Sequence, residues 1–149
     1  MEQPLALMLD LNIVLDVVQA REPFYEDSAT VLSWAFDREI AGYLAAHAVP
    51  TIYYVVRKSA GKERAEEVLD LLLSNLAITS QGRSQLLRAR NLGLSDFEDA
   101  LVAVSADESG CAWIITRNVE DFERSPVAAL TPREFLAGTL ESDTSAPDH

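Results

Sequence analysis

Three short stretches carry nearly all the oxygen ligands that could do chemistry. The first is Leu9-Asp10-Leu11-Asn12-Ile13-Val14-Leu15-Asp16, where Asp10 ends an apolar run and Asn12 follows two residues on. The second is Ser95-Asp96-Phe97-Glu98-Asp99-Ala100-Leu101, in which Asp96 and Asp99 share one helix face through their three-residue spacing. The third, Ile115-Thr116-Arg117-Asn118-Val119-Glu120-Asp121-Phe122, again ends an apolar run in polar residues: Thr116, Asn118 and Asp121. Each has an ordinary explanation. Asp10 is a favoured helix cap, Ser95 with Glu98 fits a reciprocal capping box, and a polar run after a strand is a solvated loop. Their convergence is harder to explain that way. Two carboxylates ~4 Å apart repel by ~1 kcal/mol in water and ~4 kcal/mol at an effective dielectric of 20, so a cluster of them favours a bound cation. Oxygen ligands select Mg²⁺ or Mn²⁺ over zinc.

The elements that would position these residues follow from hydrophobic periodicity. Leu5 to Leu9 reads as a buried strand, followed at once by a short helix to Val18. Phe24, Ser28, Val31, Leu32 and Ala35 follow helical spacing, Gly42 to Ala46 is strand-like, and Pro50 opens a helix running to Ser59. Lys62 to Asn75 is an amphipathic helix, Leu76 to Thr79 is β-compatible, and Ser84 to Leu92 is helical. Ser95 opens a helix to Glu108, with Phe97, Ala100, Leu101 and Val104 as its core stripe. Cys111 to Thr116 and Val127 to Leu130 are strands, and Thr131-Pro132-Arg133-Glu134 is a helix start. Strands alternating with helices predict a parallel sheet covered on both faces, a three-layer α/β/α sandwich. One domain is expected over residues 1–138, followed by a disordered tail, 139–149.

Composition narrows the function. The net charge of −12 argues against a protein that grips nucleic acid through a broad basic surface, but leaves open an enzyme that meets phosphate through a metal ion. A single cysteine, Cys111, excludes an internal disulfide and fits a reducing, cytoplasmic setting. No apolar stretch approaches the ~20 residues of a membrane span, so no membrane partner is expected.

The three motifs, in this order, resemble the PIN-domain family, which includes the VapC-type toxins of bacterial toxin–antitoxin systems. The resemblance runs from about Leu5 to Leu136. It implies a five-stranded parallel sheet and a metal-dependent ribonuclease, often dimeric, that would cut single-stranded or structured RNA and pair with an antitoxin protein. Asp10 and Asp99 carry over as metal-binding acids, and Thr116, Asn118 and Asp121 match the final motif. On this reading Asp10 and Asp99 hold one or two Mg²⁺ or Mn²⁺ ions, with Asp121 and Asp96 completing the catalytic set. Asn12, Thr116 and Asn118 orient ligands or water through hydrogen bonds. Two positions depart from the family. Its usual Glu on the helix after the second strand is missing, with Tyr54 near the expected place, and Asn118 stands where Asp is common.

Arg57 follows the aromatic pair Tyr53-Tyr54, so Arg57 and Tyr54 are candidates for stacking and charge contacts with single-stranded RNA, set against a solvated helix end. His47 reads as a strand- or helix-end residue. The Leu-rich helix from Ala65 to Leu76 is a candidate subunit interface. The competing readings are a PIN-like domain that binds a partner without turnover and, further off, a receiver-type phosphoryl acceptor. The latter would want an Asp after the middle strand, where Ser80-Gln81 stands instead. A dinucleotide site is disfavoured, because no glycine loop follows the first strand.

Overall fold

The computed structural model describes residues 3–145. Five parallel strands, β1 (Ala6–Leu9), β2 (Ala41–Ala45), β3 (Ala77–Thr79), β4 (Trp113–Ile115) and β5 (Ala129–Leu130), form one sheet in the order β3-β2-β1-β4-β5. β1 is central, which is why Leu7, Met8 and Leu9 form an unbroken apolar run with no solvent-facing side. Alternation along the strand sends Leu7 and Leu9 to one face and Met8 to the other.

The Leu7–Leu9 face packs against α1 (Leu11–Val18), α2 (Tyr25–Phe36), α3 (Ala48–Ala60), α4 (Lys62–Asn75) and α7 (Pro132–Ser145). The Met8 face packs against α6 (Phe97–Glu108), with α5 (Arg83–Arg90) outside it. The α/β/α sandwich expected from the sequence is therefore the observed fold. Gly42 on β2 marks the tightest approach between layers. A Cβ there would lie 2.7 Å from Ala35 Cβ and 2.8 Å from Leu76 Cδ2.

Several local expectations need correction. Asp96, not Ser95, caps α6: its carboxylate accepts the Asp99 N–H at 2.9 Å, and the helix starts at Phe97. Both residue types make good caps, and the one-residue shift turns Phe97 outward, 49 % exposed, rather than into the core stripe. Phe24 likewise precedes α2 instead of opening its buried face. The Thr131–Glu134 capping box forms as expected, each side chain bonding the other's backbone N–H at 2.9 and 3.1 Å. Helix α7 continues to Ser145, with the Thr139 hydroxyl donating to the Phe135 carbonyl at 3.0 Å. Residues 139–145 thus extend the last helix where a tail was expected, and 146–149 lie outside the described residues. Among the described residues no helix is long and apolar enough to cross a membrane.

Candidate functional site

Strand order reverses direction at β1: β2 and β3 lie on one side, β4 and β5 on the other. In open α/β sheets such a switch point leaves a crevice beyond the carboxyl ends of the strands, where ligands bind. Asp10 stands at that point. It follows β1 directly, its N–H donates to the Ile115 carbonyl at 2.9 Å, and Thr116 follows β4 beside it.

Asp10 caps α1 and is held by a second contact. Its Oδ1 accepts the Leu11 N–H at 2.8 Å, and its Oδ2 accepts the Thr116 hydroxyl at 2.8 Å, with only 6 % of the residue exposed. Burial raises its pKa, opposed by these two hydrogen bonds and by the nearby His47 ring and Arg117 guanidinium. Thr116, fully buried, also accepts the Asn118 N–H at 3.1 Å, so the hydroxyl fastens Asp10 to the loop after β4. Asn118 enters this chain through its backbone, and Asn12 lies half-buried in the first turn of α1.

Asp99 lies in the first turn of α6, opposite Asp10. Partial burial, then the charges of Asp96, Asp10, Asp121 and Glu98, lift its carboxyl to about 7. Four acids from three segments, the start of α6 itself among them, therefore add to burial in disfavouring a charged Asp99. Asp96 is exposed and occupied as the α6 cap, while Asp121 is exposed on the 3₁₀ turn Val119–Phe122. Among the described residues no three His, Cys, Asp or Glu side chains converge closely enough to enclose a metal ion. The expected trio of Asp10, Asp99 and Asp121 thus shares one electrostatic neighbourhood without forming a closed cage.

Tyr54 and Arg57 are placed elsewhere. Tyr54 is 67 % exposed on the second turn of α3, and Arg57 lies nine residues beyond the helix start, ~14 Å along its axis. The end of α3 that acts on Asp10 is its beginning, at His47.

Two partners of Asp10 were not legible in the sequence. His47 Nδ1 lies 3.0 Å from Gln81 Nε2, while the His47 N–H donates to Gln81 Oε1 at 2.9 Å. The backbone donor fixes which end of the Gln81 amide is oxygen, so Nε2 donates to Nδ1 and the neutral ring carries its proton on Nε2. That Nε2 is buried without a hydrogen-bond partner. Arg117, the second, reaches past Asp10 to Asp16 on α1. Its Nε is 3.2 Å from Asp16 Oδ2, off hydrogen-bond direction, so the contact is an ion pair. Asp16 is fully buried, which raises its pKa against Arg117 and the Ser28 hydroxyl at 3.1 Å. Both partners join residues far apart in the chain, and no local pattern announces them.

The PIN-domain sequence profile matches residues 6–120. No curated protein matches the chain. Among solved structures, VapBC2 from Rickettsia felis bound to a promoter DNA fragment aligns at 20 % identity and a TM-score of 0.64, over 85 % of this chain and 98 % of that one. VapBC-1 from nontypeable Haemophilus influenzae aligns at 16 % identity and 0.66, over 87 % and 99 %. Mycobacterium tuberculosis VapC20, a Sarcin-Ricin loop cleaving toxin, aligns at 10 % and 0.59, over 72 % and 86 %. At these identities the structures share the fold, and the profile supplies the family. The chain belongs to the PIN-domain family.

Proposed function

We propose that the protein is a Mg²⁺- or Mn²⁺-dependent endoribonuclease and the toxin of a cytoplasmic toxin–antitoxin pair. The observation that carries this reading is the pair at the sheet's switch point: buried Asp10, held by Thr116, and Asp99, whose carboxyl is lifted to about 7 by partial burial and then by surrounding acids, Asp10 among them. The donor set fits a hard divalent ion, since Mg²⁺ commonly takes only one or two protein carboxylates and keeps several waters. Asp10 and Asp99 would hold it, with Asp121 and Asp96 at the rim. When bound, such an ion supplies a more acidic water and neutralises charge on a phosphate under attack.

The chain's own residues do the rest. The Thr116 hydroxyl fixes the rotamer of Asp10, and the Leu11 N–H shares its other oxygen. Asp99 gives up the proton that its neighbours force on it, so cation binding at neutral pH is coupled to proton release. Asn12, in the first turn of α1, and Asn118, in the loop after β4, would orient substrate or water. Support for an antitoxin partner comes from the VapBC structures, and support for RNA comes from VapC20, a Sarcin-Ricin loop cleaving toxin. The exposed Leu71 and Leu73 of α4 supply apolar surface for a homodimer or an antitoxin. Arg57 and Tyr54 could touch RNA only as a remote contact.

A second reading is a PIN domain that binds a partner without turnover. It is favoured by the absence, among the described residues, of three converging acids. Incubating the purified protein with labelled RNA and Mn²⁺, beside Asp10→Asn and an EDTA control, separates the two. Cleavage by the wild type alone supports the nuclease. RNA left intact by the wild type at millimolar Mn²⁺ supports the partner-binding domain.

A further inference from the structure

A cleft of about 310 Å³ opens at the edge of the sheet, lined among others by Pro23, Phe24, Asp27, Arg117, Pro132 and Arg133. Two of its walls follow the carboxyl ends of β4 and β5, the same sheet edge that carries Asp10. Arg117 is the next residue after Thr116, which holds Asp10. Its guanidinium carbon lies 4.3 Å from the centre of the Phe24 ring. The ring itself remains 39 % exposed.

We propose that this cleft receives the base of an unpaired nucleotide adjacent to the scissile phosphate, an inference that rests on the ribonuclease reading. The chemistry of the walls matches a heteroaromatic ring. Pro23, Phe24 and Pro132 offer flat apolar surface, and the Phe24–Arg117 pair is the kind of aromatic and guanidinium platform on which unpaired bases stack. The edges offer both donors and an acceptor, since Arg133 and Asp27 face each other at 3.3 Å. Arg117 is anchored from behind by buried Asp16, so its orientation does not have to be created on binding. On a chain of net charge −12, the two arginines that line the cleft also give a polyanion a local reason to approach there.

The test is steady-state cleavage of a single-stranded RNA oligonucleotide with Mn²⁺ by the wild type, Phe24→Ala and Phe24→Trp. The cut is mapped first, and each flanking nucleotide is then replaced by an abasic one. Phe24→Ala should raise KM about tenfold, the scale of one lost stacked base, with kcat little changed, while Phe24→Trp keeps the wild-type KM. An abasic nucleotide at one flanking position should raise the wild-type KM by a similar factor and have no further effect on Phe24→Ala. A wild-type KM in Phe24→Ala, or abasic and Phe24 effects that simply multiply, overturns the subsite and leaves the cleft to a protein partner. If the wild type leaves RNA uncut, the nuclease reading fails, and the subsite fails with it.

Discussion

Removing the charge of Asp99 should stabilise the protein when no metal is present, and the gain should grow with pH. The unfolded carboxyl titrates near its model value of 3.8, whereas in the folded chain it titrates at about 7. Between these values the native state holds a proton that the unfolded chain has released, so stability falls as pH rises and levels off above about 7. Each pH unit is worth ~1.36 kcal/mol, giving an upper bound of ~4 kcal/mol. Solvent screening of a partly exposed site reduces this to roughly 1–2 kcal/mol. Asp99→Asn lacks the titration. The assay is urea denaturation of both proteins in EDTA from pH 4 to 8. The variant should match the wild type near pH 4 and exceed it by roughly 1–2 kcal/mol at pH 8. Millimolar Mn²⁺ should then restore stability to the wild type more than to the variant, because only the folded wild type offers the full site. Parallel pH–stability curves for the two proteins would refute the reasoning.

Other expectations follow from single contacts. Arg117→Ala strands fully buried Asp16 without its ion-pair partner and should cost about 3 kcal/mol at pH 8. The loss should be smaller at pH 5, since Asp16 already has a raised pKa and accepts a proton more readily there; urea titrations at the two pH values check this. Gly42→Ala drives a methyl into Ala35 and Leu76 and should destabilise by about 1–3 kcal/mol, read as a drop of several degrees in Tm. Burial pushes the Cys111 thiol up to about 11, so labelling by a thiol reagent at pH 7 should be on the order of a hundredfold slower than for an exposed cysteine. It should become fast in denaturant, and rapid labelling of the native protein would contradict the burial.

The sequence carried the sheet and the position of Asp10 at a strand end well because both rest on short-range patterns. Leu5 to Leu9 is apolar at every position, as a central parallel strand must be, and β1 spans Ala6–Leu9. Thr131, Pro132 and Glu134 encode their helix start in four residues, and the capping box forms. Asp10 at a strand end was visible as a candidate for both capping and chemistry, and its two oxygens are divided between Leu11 and Thr116. Errors arose where neighbouring residues compete for one role. Ser95 and Asp96 are both good caps, and choosing the first rotated Phe97 into a core that it does not enter. The remaining gaps concern pairs distant in sequence. Gln81 meets His47 across 34 positions and Ser105 across 24, and Arg117 finds Asp16 on another element. Tyr54 and Arg57 looked like RNA contacts because they adjoin each other in sequence, yet helical geometry carries them away from the end of α3 that acts on Asp10.

The central claim is that Asp10 and Asp99 form one cation site at the switch point of the sheet. Calorimetric titration of the wild type, Asp10→Asn and Asp99→Asn with Mn²⁺ at pH 7.5 tests it most directly. Binding by the wild type that is lost in both variants is the expected result, with proton release that grows as the titration is repeated at lower pH. Undetectable binding by the wild type at millimolar Mn²⁺, or binding that either variant retains unchanged, would contradict the account.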